Sequence, residues 1–165
     1  MNRLRGLPGT LLLRSLLVVI LVSILAALFL DRADRLSEQV QQTARQQTIG
    51  QLNALLGLRL LKAASEGRLD QLARFDGANP FRLLAQEGGF QPPKTYRGEI
   101  GNEGQARQPG WYFDTRRRLL RWFDGERWLP EAWQLRLRYR DLDGDGRFDP
   151  DRDVLEGLGM KKAAG

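Results

Sequence analysis

Histidine and cysteine are both missing from the 165 residues. Their absence excludes His-assisted serine or cysteine triads, thiol nucleophiles, thiolate or imidazole zinc sites, haem attachment and any disulfide framework. Carboxylate, amine and backbone chemistry is what remains. Acids are the scarcer charge, 20 against 26 Lys and Arg, a balance of +6. The length allows one ordinary domain, or a smaller domain with an appendage, and excludes a large two-domain enzyme. Negative mean hydropathy excludes a protein of many membrane spans. No two carboxylates are set apart by spacing as an acid–base pair, so an enzyme is not expected.

Only one long apolar run is present. Residues 15–30 read SLLVVILVSILAALFL without a charge, and counted from Leu11 the run is twenty residues interrupted by Arg14 alone. Twenty helical residues cover about 30 Å, the thickness of a bilayer core, and Arg14 can snorkel to the interface. Arg3, Arg5 and Arg14 precede the run with no acid, which keeps the short N-terminus in the cytoplasm and sends the rest to the periplasm or exterior. A cleaved secretory signal shares the basic start and apolar run. Ala26 and Ala27, however, follow Ile24 and Leu25 at the positions two before them, a poor match to a small-residue cleavage site. Half of the +6 therefore marks topology. The +3 left on the exported part is too little to argue for nucleic acid.

Beyond Asp31 the chain turns polar but keeps helical spacing through Leu36, Val40 and Ala44, then Ile49, Leu52, Leu56 and Leu60, with Leu55 and Leu61 widening the stripe. The Gln-rich stretch 38–51 favours helix over strand. Gly50, Gly57 and Gly67 predict a break or kink. Two fates for the stripe stay open: its second half packs on the chain's own globular domain, and its first half pairs with partner helices. An apolar anchor running into an amphipathic helix and then a small β domain is the layout of type IV pilins and their relatives.

Asp76-Gly77 and Asn79-Pro80 punctuate the end of the helix. Residues 81–85 read as a short apolar turn, Gly88-Gly89 and Pro92-Pro93 as a stiff connection, and 98–110 as loop. Period-two patterning then predicts strands at 111–113, 118–123, 127–129, 133–139 and 154–160. In 133–139, Trp133, Leu135, Leu137 and Tyr139 point to the core, whereas Gln134, Arg136, Arg138 and Arg140 make a wet basic face. The expected fold is α+β: an N-terminal transmembrane helix continuing as a long amphipathic helix packed on a small antiparallel sheet. The expected divisions are a cytoplasmic N-terminus at 1–10, a transmembrane helix at 11–30, a helical stalk at 31–75, a periplasmic α+β domain at 76–160 and a flexible tail at 161–165.

The most specific local pattern is Asp141-Leu-Asp143-Gly-Asp145-Gly146-Arg-Phe148-Asp149-Pro-Asp151-Arg152-Asp153. Carboxylates at loop positions 1, 3, 5 and 9, Gly at 6 and an apolar residue at 8 match a calcium loop of EF-hand type. Position 12, where a bidentate Glu belongs, is Arg152, so Asp151 or Asp153 would have to substitute. Asp141, Asp143, Asp145, Asp149, Asp151 and Asp153 are the candidate calcium ligands. The competing reading is an acidic turn between two strands, neutralised by arginines. Elsewhere, Arg116, Arg117, Arg118 and Arg121 and the row Arg136, Arg138 and Arg140 alternate with Trp122, Trp128 and Trp133. Period two puts those aromatics on the buried face, so a solvated strand face or a docking surface for an acidic partner is expected in place of nucleic acid.

The order Asn79-Pro80, Leu83-Leu84, Pro92-Pro93, Tyr96, Gly98-Glu99, Pro109-Gly110-Trp111-Tyr112-Phe113-Asp114 and Leu119-Leu120 resembles the accessory proteins of the mannose-sensitive haemagglutinin (MSHA) pilus system, MshF type. The resemblance covers most of the chain, because that family also has an N-terminal membrane helix and a stalk. It implies a non-enzymatic role in type IV pilus biogenesis in the inner membrane of a Gram-negative bacterium. Its implied partners are pilus assembly or pilin-like proteins, met through the transmembrane and stalk helix. True pilins carry a Gly cleavage site with Glu at the fifth mature position; here Gly9 is followed by Thr10 and the fifth position is Arg14. Processing and polymerisation as a minor pseudopilin are therefore the weaker expectation, beside a calcium-binding, membrane-tethered sensor or binding domain.

Overall fold

A computed structural model of the chain describes residues 8–163 except 87 and 89, with side chains from residue 16 onward except those of 28–38. It divides into two compact units, Met1–Gln46 and Gln47–Gly165. The basic start at Arg3 and Arg5, the side chain of Arg14, Gly89 and the last two residues lie outside the described residues.

The first unit is helical. Helix α1 begins at Pro8, an imino acid suited to a first helical turn because its missing N–H would be unpaired there anyway, and runs to Ser65. Every described side chain from 16 to 27 is exposed, among them Leu16, Leu17, Val18, Val19, Ile20 and Leu21. Ser23 does not interrupt this apolar surface, since its hydroxyl donates to the Val19 carbonyl one turn back at 2.8 Å. Among the described residues no helix is long and apolar enough to cross a membrane. The expected span 11–30 falls partly on side chains outside that description. Val40 and Ala44, expected on the partner-facing stripe, are exposed.

In the second unit the same helix turns an apolar face inward. Ile49, Leu52, Leu56 and Ala63 recur at helical spacing and are buried. They meet Leu72 and Phe75 of a 3-10 segment, Leu69–Phe75, and Phe81 and Leu84 of helix α2, Pro80–Gln86. Opposite them stand Trp111, Phe113, Leu120, Trp122, Leu135, Leu137, Leu158 and Met160 of the sheet. The second half of the stripe thus packs on its own domain, and the compact unit begins at Gln47, well before residue 76. Leu61 is an exception: at 67% exposure it lies outside the buried stripe. No break occurs at Gly50 or Gly57; the helix ends before Gly67. Residues 81–85 form the middle of α2, capped by Asn79, whose Oδ1 accepts from the Phe81 and Arg82 amides.

The sheet has five strands, β1 Tyr96–Ile100, β2 Gly110–Asp114, β3 Leu119–Phe123, β4 Trp128–Arg140 and β5 Val154–Lys162, in sequential order. It is mixed, a correction to the antiparallel expectation, because β1 runs parallel to β2 while the other pairs are antiparallel. Parallel neighbours need a crossover. Residues 101–109 supply it, laying Ala106 against Ile100 and Tyr112 in a second small cluster with Phe123 and Trp128. β4 joins two expected strands through Pro130: between Phe123↔Trp128 and Arg121↔Ala132 one residue of β3 faces three of β4, so the proline falls in a register shift where no ladder donor is needed. Beyond Trp133, β4 outruns β3, and the turn after the 3-10 segment covers its free edge: the Gly77 amide donates to the Leu135 carbonyl at 2.8 Å and the Leu137 amide to Asp76 Oδ1 at 2.9 Å. Lys161 and Lys162, expected in a loose tail, pair with Gln134 and Trp133 and lengthen β5.

Candidate functional site

The β4–β5 connection carries the acidic pattern, and its backbone is held by its own aspartates. Asp141 Oδ1 accepts from the Gly144 amide at 2.7 Å and Oδ2 from the Gly146 amide at 2.9 Å. Asp143 and Asp145 each accept from the amide two residues on. Gly144 and Gly146 sit at φ 77° and 74°, the left-handed region that glycine enters without a Cβ clash. These turns bring one oxygen each of Asp141, Asp143 and Asp145 within 4.8 Å of one another, at the surface. The Gly146 and Gly144 amides hold the Asp141 carboxyl below its ordinary value.

The other three acids take different places. Asp153 is buried and staples the ends of the loop, accepting from the Leu142 amide at 3.0 Å through Oδ1 and from the Asp149 amide at 2.8 Å through Oδ2. Asp149 accepts from the Asp151 amide. Asp149, Asp151 and Asp153 are not part of the converging group. Arg152, at loop position 12, reaches back so that Nη1 lies 3.2 Å from Asp143 Oδ2 and Nε 3.7 Å from Asp149 Oδ2. Three hard oxygens at one point are part of what a divalent cation such as calcium needs. The guanidinium supplies positive charge on the side where a bidentate Glu would close an EF-hand loop, so both sequence readings of the segment have a counterpart in its geometry.

The basic–aromatic pattern separates into parts. Trp122 faces the main core, in edge contact with Trp111 at 5.4 Å between centroids. Trp128, expected on the same buried face, packs on the opposite side of the sheet beneath Arg121, whose guanidinium lies 4.8 Å from its ring centre. Arg121 and Arg117 converge on Glu103, pinning the crossover loop and holding the Glu103 carboxyl low.

The bridging roles of two asparagines were not expected from the sequence. Asn79 also donates from Nδ2 to the Tyr96 hydroxyl at 2.7 Å and to Glu99 Oε1 at 2.9 Å, tying α2 to β1 at the floor of an open pocket of about 350 Å³. Asn-Pro ahead of an apolar run is a capping signal that could have flagged it. Asn53 on α1 accepts from the Met160 amide at 2.7 Å; a lone polar residue on a helix face gives no such warning. No family model matches the chain, and no curated protein or solved structure matches it.

Proposed function

We propose that the chain is a single-pass inner-membrane accessory protein of MSHA-like type IV pilus biogenesis, a non-enzymatic factor acting by protein–protein interaction. The observation that carries this reading is the pairing of two surfaces on α1. Its described residues from 16 to 27 expose apolar side chains on all sides and satisfy the one hydroxyl within the helix, a surface suited to lipid or to other membrane helices. Its later residues Ile49, Leu52 and Leu56 build the core of an α+β unit. The motif order from Asn79 to Leu120 points to the pilus system in particular. Deleting the gene and counting surface pili by electron microscopy tests the proposal: loss of pili, restored by the full chain, is expected, and normal pili overturn it.

A second reading, a calcium-binding membrane-tethered sensor or binding domain, is favoured by the convergence of Asp141, Asp143 and Asp145. Titration calorimetry of calcium into the full chain in neutral detergent is expected to show heat that Asp143→Ala and Asp145→Ala abolish. No heat and no melting shift with the unaltered protein remove this reading.

A further inference from the structure

α1 and α2 pack on one face of the sheet, and on the other face residues 101–109 cover the end of β1, β2, β3 and the start of β4. Past that cover, β4 presents Arg136, Arg138 and Arg140, all exposed, and β5 adds exposed Lys161 opposite Gln134. The residues across from Arg136 and Arg138 are Gly159 and Gly157, so β5 places no side chain opposite these two arginines. A Cβ added at Gly157 would stand 2.8 Å from Arg138 Nη2, which places that guanidinium flat against the β5 backbone. Arg136 meets Asp76 at 3.3 Å and Arg140 meets Glu156 at 3.5 Å, surface pairs of a kind that exchanges readily. Among the described residues Arg138 and Lys161 have no carboxylate partner.

We propose that this face docks an extended acidic segment of a partner protein whose carboxylates fall at every second residue. The inference rests on the protein-docking reading above and supplies a surface for it. Same-face residues of a strand repeat at about 7 Å, and so do the same-face carboxylates of an extended peptide, so Arg136 and Arg138 each meet one carboxylate in the forked geometry that suits them. A second copy of this chain fits poorly: each copy carries +6, and its own alternating acids are folded into a turn. The Asp141 loop follows Arg140 directly and repels acids at that end, which centres the footprint on Arg136, Arg138 and Lys161. The same loop opposes contact with an anionic bilayer.

Fluorescence polarisation with the full chain in neutral detergent tests this, using a labelled peptide of alternating Glu and Ser and one of the same composition with Glu in blocks. The alternating peptide is expected to bind about fivefold tighter than the block peptide, and Arg138→Gln to weaken it about tenfold, while Arg127→Gln, an equal charge loss in a distant turn, changes little. Gly157→Ala, which displaces the Arg138 guanidinium without removing it, is expected to weaken the same peptide, with thermal melting confirming that each variant is folded. Equal binding of the two peptides, or equal loss with Arg127→Gln, overturns the proposal. So does Arg138-dependent binding to phosphatidylglycerol vesicles with no binding of either peptide. The assay does not read piliation, so its failure leaves the result of the gene deletion standing.

Discussion

Arg152 holds two opposed possibilities in one side chain. It bridges Asp143 and Asp149 from the position where a calcium loop of EF-hand type places its bidentate acid. Arg152→Glu removes the internal cation and adds two oxygens, so it is expected to tighten calcium binding by about tenfold in titration calorimetry, since affinity follows ligand charge count. Asp141 gives a second test. Its carboxyl is lowered by the Gly146 and Gly144 amides, so its contribution is complete above the ordinary value of 3.8 and is lost as pH falls through the lowered one. Melting followed downward from pH 6 is expected to show that loss, and Asp141→Asn to remove it. The triad was legible in the sequence because Asx turns depend on nearest neighbours. The stapling by Asp153 was not, because it depends on where β5 begins.

Helix α1 shows how far element-level reasoning reaches. Its stripe was legible, but which flank of it faces the sheet was not: Leu56 is fully buried and Leu61, equally apolar, is exposed. Leu56→Ala is expected to cost about 2–5 kcal/mol and Leu61→Ala under about 0.5 kcal/mol in chemical denaturation. Gly57 has nothing within 4 Å of an added Cβ, so Gly57→Ala is expected to raise stability by about 1 kcal/mol, the ordinary helix preference. Strands β2 to β5 stood out in the sequence, β4 as two separate pieces, and the cleanest alternation was that of residues 133–139. β1 did not, because Gly98, at φ 109°, sits within it at a shift of register and breaks the period. Its parallel pairing was also hidden, since it requires Gly110: a Cβ there would meet the Thr95 carbonyl oxygen at 2.2 Å. Gly110→Ala is expected to detach β1, read as loss of amide-exchange protection over Tyr96–Ile100 with β4 and β5 still protected.

Across the whole molecule, charge and apolar surface are segregated along the chain. The apolar run lies in the first unit, and the acidic loop and the basic row adjoin each other at one end of β4. The bond from the Met160 amide to Asn53 joins positions 107 apart in sequence, and Leu158 and Met160 share the core with Leu52 and Leu56. During synthesis α1 is made early, and β5 emerges after α2 and the other four strands. Until it does, Leu52 and Leu56 have no complete surface to bury against, and contacts of such long range are slow to form. The globular unit therefore reaches its final form only after translation has passed β5, and until then its helix carries an incompletely covered apolar stripe that a holding chaperone would recognise.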